Sequence, residues 1–441
     1  MRPEQRDNSG RLGLFGSTAW VMAGNGAYLL FGFVSNLIIV RTITAADYGR
    51  LSVALAIMTV LQEVVGGGLD VAMVRFASQY CRSEPQIANT VLRQSFWLKL
   101  MANGVVTLLL WLLAPVLAVH ALGDAQLTAP LRWAAVGVVG TSLVNFQLGV
   151  LQAQEIFARY AAYRALANGM KLCLLLVLVR TATLNLTTAL LASTGLALVT
   201  YLVGFAFAPA TYLRTKPTAS LVHVCTTLLG FGGWVIAGNL LFNLYARFDV
   251  LFLQRIAPAQ VAYYSVACGV VFLMDLTTFS VMTALLPRSG RLGSTEDFSG
   301  YLRSTLLQCG LIALMLTPLF LLAGPLLRLM FSSRYDESVH IFRILFWGPL
   351  VSLMVYPLSL ILYARHKPSA VTLSNLVQFL FAIAGYIFLG PRFGQEGIAT
   401  SAVAGRFAGG ATLALLVLRE LKDAASLAPV TSPLESEVPT I

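Results

Sequence analysis

Glu63, Lys171, Asp275 and Arg406 are ionisable residues flanked on both sides by long apolar runs. A charge at the centre of a bilayer costs about 2.5–3.5 kcal/mol on insertion scales, so such residues face a cavity or a partner rather than lipid. Two carboxylates facing one cavity raise each other's proton affinity by repulsion and desolvation, which makes Glu63 and Asp275 candidates for ion coupling or gating. Lys171, Arg247 and Arg406 suit the opposite task of holding an anionic group, which makes them candidate substrate-binding residues. Asn25 and Asn239 each follow a glycine and are candidate substrate-binding positions as well as candidate helix-packing hydrogen bonders. Plainer roles compete: Glu63 and Asp275 serve equally as partners of Lys171 or Arg406, and Arg247 as an anchor of a helix end at the headgroups.

Residues three, four and seven apart share one helix face. That spacing aligns Asn25, Tyr28, Gly32 and Asn36, and likewise Ser52, Thr59, Glu63, Gly66 and Asp70. Asn239, Asn243 and Arg247 form a third polar stripe, and Cys268, Asp275 and Thr278 a fourth. Lipid offers such stripes nothing, so these four helices are expected to wall a cavity.

The elements that must carry them follow from composition. The chain of 441 residues is 57% hydrophobic and 11% charged, against roughly 25% charged for an ordinary soluble domain. Backbone groups inside lipid must be satisfied within their own segment, so the apolar runs are helices. About twelve spans are expected, roughly at 18–40, 51–69, 94–119, 131–152, 163–179 and 188–212, then 228–250, 261–286, 301–323, 341–363, 371–389 and 398–418. The fold class is therefore all-α integral membrane.

The two halves are related. Trp20-Val21-Met22-Ala23-Gly24-Asn25 recurs as Trp234-Val235-Ile236-Ala237-Gly238-Asn239, with one difference. The same comparison aligns 43–54 with 256–267 and places Glu63 near the level of Asp275. Six spans per repeat make it a parallel one, two pseudo-symmetric six-helix bundles around a central cavity. The expected units are 1–213, 221–421 and a disordered tail, 422–441, rich in Ser, Pro and Glu. About 19 of the 30 Lys and Arg fall on the side of the N-terminus and about 10 on the other, so both termini are expected in the cytoplasm.

Other classes fit poorly. The net charge of +11 is scattered between apolar runs, with no basic patch for nucleic acid. Cys81, Cys173, Cys225, Cys268 and Cys309 form no CxxC pair, and no HExxH occurs, so neither disulfide nor metal site is expected. The glycine run 66–68 lacks the Lys and Ser/Thr of a phosphate loop, so no cofactor is expected. Every expected loop is short, which argues against catalytic residues and an enzyme.

Several segments carry a resemblance: 41–49 (RTITAADYG), 68–76 (GLDVAMVRF), 247–267 (RFDVLFLQRIAPAQVAYYSVA), Leu286-Pro287-Arg288, 332–350 (SSRYDESVHIFRILFWGPL) and 391–401 (PRFGQEGIATS). Together they resemble the polysaccharide and O-antigen flippases of the multidrug/oligosaccharidyl-lipid/polysaccharide exporter superfamily. The resemblance implies two bundles in a V that open alternately to each side of the cell inner membrane. It implies translocation of a polyprenyl-diphosphate-linked oligosaccharide for O-antigen, capsule or exopolysaccharide synthesis. Expected partners are that lipid-linked oligosaccharide, membrane lipids, and a polysaccharide polymerase with its chain-length machinery. The alternative is a multidrug and toxin extrusion antiporter, which shares the architecture but would need an acidic, aromatic cavity for organic cations.

Overall fold

A computed structural model describes residues 3–66, 69–81, 83–208, 211–216, 221–289, 295–364 and 367–426. Its first half contains α1 (Pro3–Thr42), α2 (Ala45–Gly66), α3 (Leu69–Tyr80), α4 (Pro85–Val116), α5 (Thr128–Ala153), α6 (Phe157–Arg180), α7 (Leu186–Leu190), α8 (Leu196–Gly204) and α9 (Thr211–Arg214). The second contains α10 (Leu221–Ile256), α11 (Val261–Ser289), α12 (Thr295–Leu321), α13 (Ala323–Phe331), α14 (Glu337–Leu345), α15 (Trp347–Ala364) and α16 (Pro368–Ser426). No strand occurs among the described residues.

Nine of the described segments are long and apolar enough to cross a bilayer. One of them, Ser369–Glu420, counts once although the backbone turns at Gly394 with φ 55°. A side chain at Gly394 would run into Gln260 Oε1, so both conformation and space demand glycine. α10 and α11, with 36 and 29 residues, are also long enough to span but are not among the nine. The exterior is apolar: Leu112, Leu314, Met315 and Phe388 are exposed. A surface of that kind belongs in lipid, and the chain is a multi-pass membrane protein.

Local structure departs from the expected spans at two π-turns, the first of them Leu117–Ala121 after α4. The run expected at 51–69 is helical to Gly66 in α2 and again from Leu69 in α3, and residues 67–68 lie outside the described residues. The expected tail is helical as far as Ser426, and its remainder lies outside the described residues. A π-turn, Leu191–Gly195, joins α7 to α8 and swings Ser193 inward.

Helix packing repeats between the halves. α1 packs on α6 as α10 packs on α16, α4 on α5 as α12 on α15, and α2 on α5 as α11 on α15. The repeated Gly-Asn motif sits at the first of these crossings. A Cβ at Gly24 would lie 2.5 Å from Ala161 Cα on α6, and one at Gly238 would lie 3.1 Å from Thr372 Oγ1 on α16. The glycine therefore lets the first helix of each half press against its partner, and α1 runs helically through Asn25. Between the halves, α2 packs on α10 and α11, and α3 and α4 on α10.

Candidate functional site

A cavity of ≈ 550 Å³ lies between α1, α2, α5, α6 and α8 of the first half and α10 and α11 of the second. α6 contributes Arg164, Asn168 and Lys171, spaced four and then three apart so that one helix face looks inward. Tyr28, Gly32 and Asn36 of α1, and Ser52 and Thr59 of α2, line it as their stripes require. Arg247 enters from α10, with Ser265 and Cys268 from α11. Asn168 Nδ2 donates to Tyr28 O at 2.7 Å, tying α6 to α1 beside the cavity.

The cavity is electrostatically one-sided. Arg164, Lys171 and Arg247 line it, and no Asp or Glu is among its lining residues. Arg164 rests its guanidinium over the Tyr28 ring, 4.8 Å from the centroid, and donates to Tyr160 Oη at 3.1 Å. Lys171 and Arg247 make neither hydrogen bond nor ion pair among the described residues. Arg164 Nε, Ser193 Oγ and Ser265 Oγ are buried and likewise lack a protein partner. Buried polar groups without partners are costly, so cations and donors left open toward one space are arranged for a polar ligand.

At one end of the molecule the halves are latched together. Arg41 Nε donates to Met330 O at 2.6 Å and its Nη2 to Leu329 O. In return Arg334 Nη1 donates to Ile43 O at 3.1 Å and Tyr335 Oη to Val40 O at 3.3 Å. The buried Tyr335 ring stands edge-on to Tyr48 and Tyr263, with centroids 6.5 and 5.9 Å away. Burial pushes its phenol up to about 12, so it remains a donor at neutral pH.

The expected site residues separate into several places. Lys171 and Arg247 share the cavity. Asn25 lies on α1 outside it, with a buried Oδ1 that has no partner among the described residues. Asn239 is on α10, and its side chain lies outside those described. Arg406 lines a smaller cavity of ≈ 200 Å³ in the second half. There it holds Asp275 in a fork, Nη1 to Oδ1 at 2.8 Å and Nη2 to Oδ2 at 3.0 Å, and also reaches Ser352 Oγ at 3.2 Å. Glu63 lines neither cavity and lies near Asp70 and Lys99. The structure therefore does not bring Glu63 and Asp275 together.

Sequence reasoning missed Arg164, although its seven-residue spacing from Lys171 puts both on one face. It also missed the buried ion pair of Lys99 with Asp70, at 2.6 Å.

Comparison with known proteins places this geometry. The family described as polysaccharide biosynthesis protein matches residues 14–293. Among curated sequences none matches the chain. Among solved structures, an inward-facing multidrug resistance MATE transporter of the MOP superfamily superposes with TM-score 0.72 at 14% identity, covering 93% of this chain and 100% of that one. The lipid II flippase MurJ, in its inward closed conformation, gives 0.73 at 13% identity, covering 93% and 90%. A Vibrio cholerae MATE transporter gives 0.66 at 19% identity, covering 93% and 97%. At these identities the likeness is one of fold.

Proposed function

The chain belongs to the polysaccharide biosynthesis protein family, and from that premise we propose that it is a flippase carrying a polyprenyl-diphosphate-linked oligosaccharide across the inner membrane. The observation that carries this reading is the cavity lined by Arg164, Lys171 and Arg247 and by no carboxylate. Such a space attracts a diphosphate and repels an organic cation, which favours the flippase over the drug-antiporter reading although both share the fold. Sugar hydroxyls would find the unpartnered Ser193 and Ser265 hydroxyls, while the tail stays in lipid.

In this reading the two units, 1–213 and 221–421, rock about the cavity, both termini are cytoplasmic, and the latched face is the outer one. The conformation described is then closed to the outside. O-antigen, capsule or exopolysaccharide assembly is the setting, with a polymerase and chain-length machinery consuming the product. Of the candidate residues, Lys171 and Arg247 meet the headgroup, and Arg406 stabilises Asp275.

The test is binding to purified protein in nanodiscs of a polyprenyl-diphosphate sugar and of a lipophilic organic cation. Lys171→Glu should abolish the first, and neither protein should bind the second. Tight binding of the organic cation by the unmodified chain would overturn the assignment. In cells, Lys171→Glu should accumulate lipid-linked oligosaccharide on the cytoplasmic leaflet.

A further inference from the structure

The second half holds a cavity of its own, ≈ 200 Å³, between α10, α15 and the two arms of α16 that meet at Gly394. Its lining is polar although the bundle's exterior is apolar. Ser352, Tyr356, Ser359 and Tyr363 line it from α15, spaced four, three and four apart so that one face of that helix looks inward. Ser374, Asn375 and Gln378 line it from the first arm of α16. Glycines on the second arm leave the space open. A Cβ at Gly409 would stand 3.0 Å from Gln378 Oε1, and one at Gly410 would stand 2.8 Å from Val355 Cγ2.

Charge is cancelled in this cavity, because its one cationic lining residue, Arg406, is held in the fork with Asp275. Ser374 Oγ donates to Gly409 O at 2.8 Å and Asn375 Nδ2 to Gly238 O at 3.3 Å, which leaves both side-chain oxygens able to accept. Gln378 is 9% exposed, and its amide makes no hydrogen bond among the described residues. That amide offers two donors and an acceptor. A buried amide without a partner is costly, so one left open to a cavity is arranged for a polar ligand. Phe242 of α10 adds an apolar wall, its ring centroid 6.4 Å from that of Tyr356.

The repeat indicates which polar ligand fits. Gly24 meets Ala161 of α6 as Gly238 meets Thr372 of α16. Four residues after each glycine stand Tyr28 and Phe242, and each lines the cavity of its own half. Three residues after Ala161 and Thr372 stand Arg164 and Asn375, and ten residues after them stand Lys171 and Ala382. The second half keeps the aromatic ring and exchanges two cations for an amide and a methyl group. A diphosphate loses its partners by that exchange. A neutral polyhydroxylated ring does not, since its hydroxyls pair with amides and hydroxyls while its C–H face lies against an aromatic face.

We propose that this second cavity binds a neutral sugar residue of the saccharide whose diphosphate occupies the large cavity. One turn of α11 borders both spaces, for Phe272 and Leu273 line the large cavity and Asp275 is held by Arg406 of the small one. On α10, Phe242 of the small cavity and Arg247 of the large one stand about 7.5 Å apart along the helix axis, at 1.5 Å per residue. That is the scale of the step from a diphosphate to the first sugars it carries. The inference deepens the flippase reading and rests on it for the source of the sugar, and it makes Gln378 and Phe242 specificity-determining residues.

The experiment uses the full chain in nanodiscs and two kinds of probe. A neutral alkyl hexoside with a photoreactive diazirine on its ring carries no diphosphate, so its result stands apart from that of the flippase reading. It should label α15 and the first arm of α16 in preference to α6. The labelling should fall about tenfold in Gln378→Leu and in Phe242→Leu, and should persist in Lys171→Glu. The second probe pair is a polyprenyl diphosphate with and without a neutral hexose. The unmodified chain should bind the sugar-bearing lipid about tenfold more tightly, and Gln378→Leu should erase that ratio while binding the bare lipid as before. If Gln378→Leu does not fold, Phe242→Leu decides. Hexoside labelling that favours α6, labelling unmoved in the folded variants, or equal affinity of the unmodified chain for the two lipids would each overturn the proposal. Failure of both lipids to bind, with hexoside labelling intact, would remove the flippase reading and leave the sugar site standing.

Discussion

Opening of the outer face requires that the latch break, and its strength follows from the bonds counted there. Arg41, Arg334 and Tyr335 together donate four hydrogen bonds to backbone carbonyls of the opposite half. Each contributes about 1 kcal/mol net, rather more for a guanidinium donor. Tyr335→Phe keeps the ring between Tyr48 and Tyr263 and removes one bond, so the open population should rise about fivefold. Arg41→Ala with Arg334→Ala removes the other three, about 3–4 kcal/mol if additive, or a shift of at least a hundredfold. Cys268 lines the cavity and is a native reporter. With the remaining cysteines replaced by alanine, its labelling by an impermeant thiol reagent added outside cells should accelerate in that order. Equal rates in all variants would mean that the latch does not hold the outer face shut, or that this face is not the outer one.

Four further outcomes follow. Arg406→Ala leaves Asp275 unpaired in an apolar bundle and should cost about 3–5 kcal/mol in detergent unfolding, whereas Arg406→Leu with Asp275→Leu should recover most of it. Gly24→Ala, with its Cβ 2.5 Å from Ala161 Cα, should destabilise more than Gly238→Ala, which meets only a hydroxyl at 3.1 Å; thermal melts compare them. Cavity charge should act additively on headgroup affinity: Arg164→Gln and Arg247→Gln should each weaken binding of a polyprenyl diphosphate about tenfold without changing protein yield. Cysteines placed at Ser9 and Ser436 should resist impermeant reagent in intact cells, and labelling of either would reverse the topology.

Fold was legible because a solvent rule fixes it. Apolar runs longer than a bilayer is thick must be helices, and the duplicated Trp-Val-x-Ala-Gly-Asn motif marks equivalent first helices of two repeats. Period also located much of the cavity, since Tyr28, Gly32, Asn36, Ser52 and Thr59 line it as their spacing demands. What spacing could not convey was the direction of each charged side chain. Glu63 shares the stripe of Thr59 yet lies with Asp70 and Lys99, because the stripe is wide enough to border both the cavity and α4. Lys99 escaped notice for a related reason, since it lies inside the span expected at 94–119 while its partner Asp70 is on another helix, and spacing along one helix cannot show such a pair.

The repeat explains why Glu63 and Asp275 occupy similar levels, and the structure explains why that similarity does not extend to their partners. In the second half Asp275 has a guanidinium matched to it in a bidentate fork, a neutral unit with both charges committed. In the first half the available cation, Lys99, is a point charge already given to Asp70, and Glu63 is left over. A fork fixes geometry, whereas an ammonium has no preferred plane and exchanges between acids with little reorientation. The two halves thus share a scaffold but divide the work. One fixes Asp275 and Arg406 in a fork and lends Arg247 to the cavity, and the other lends it Arg164 and Lys171 and keeps Lys99 on Asp70.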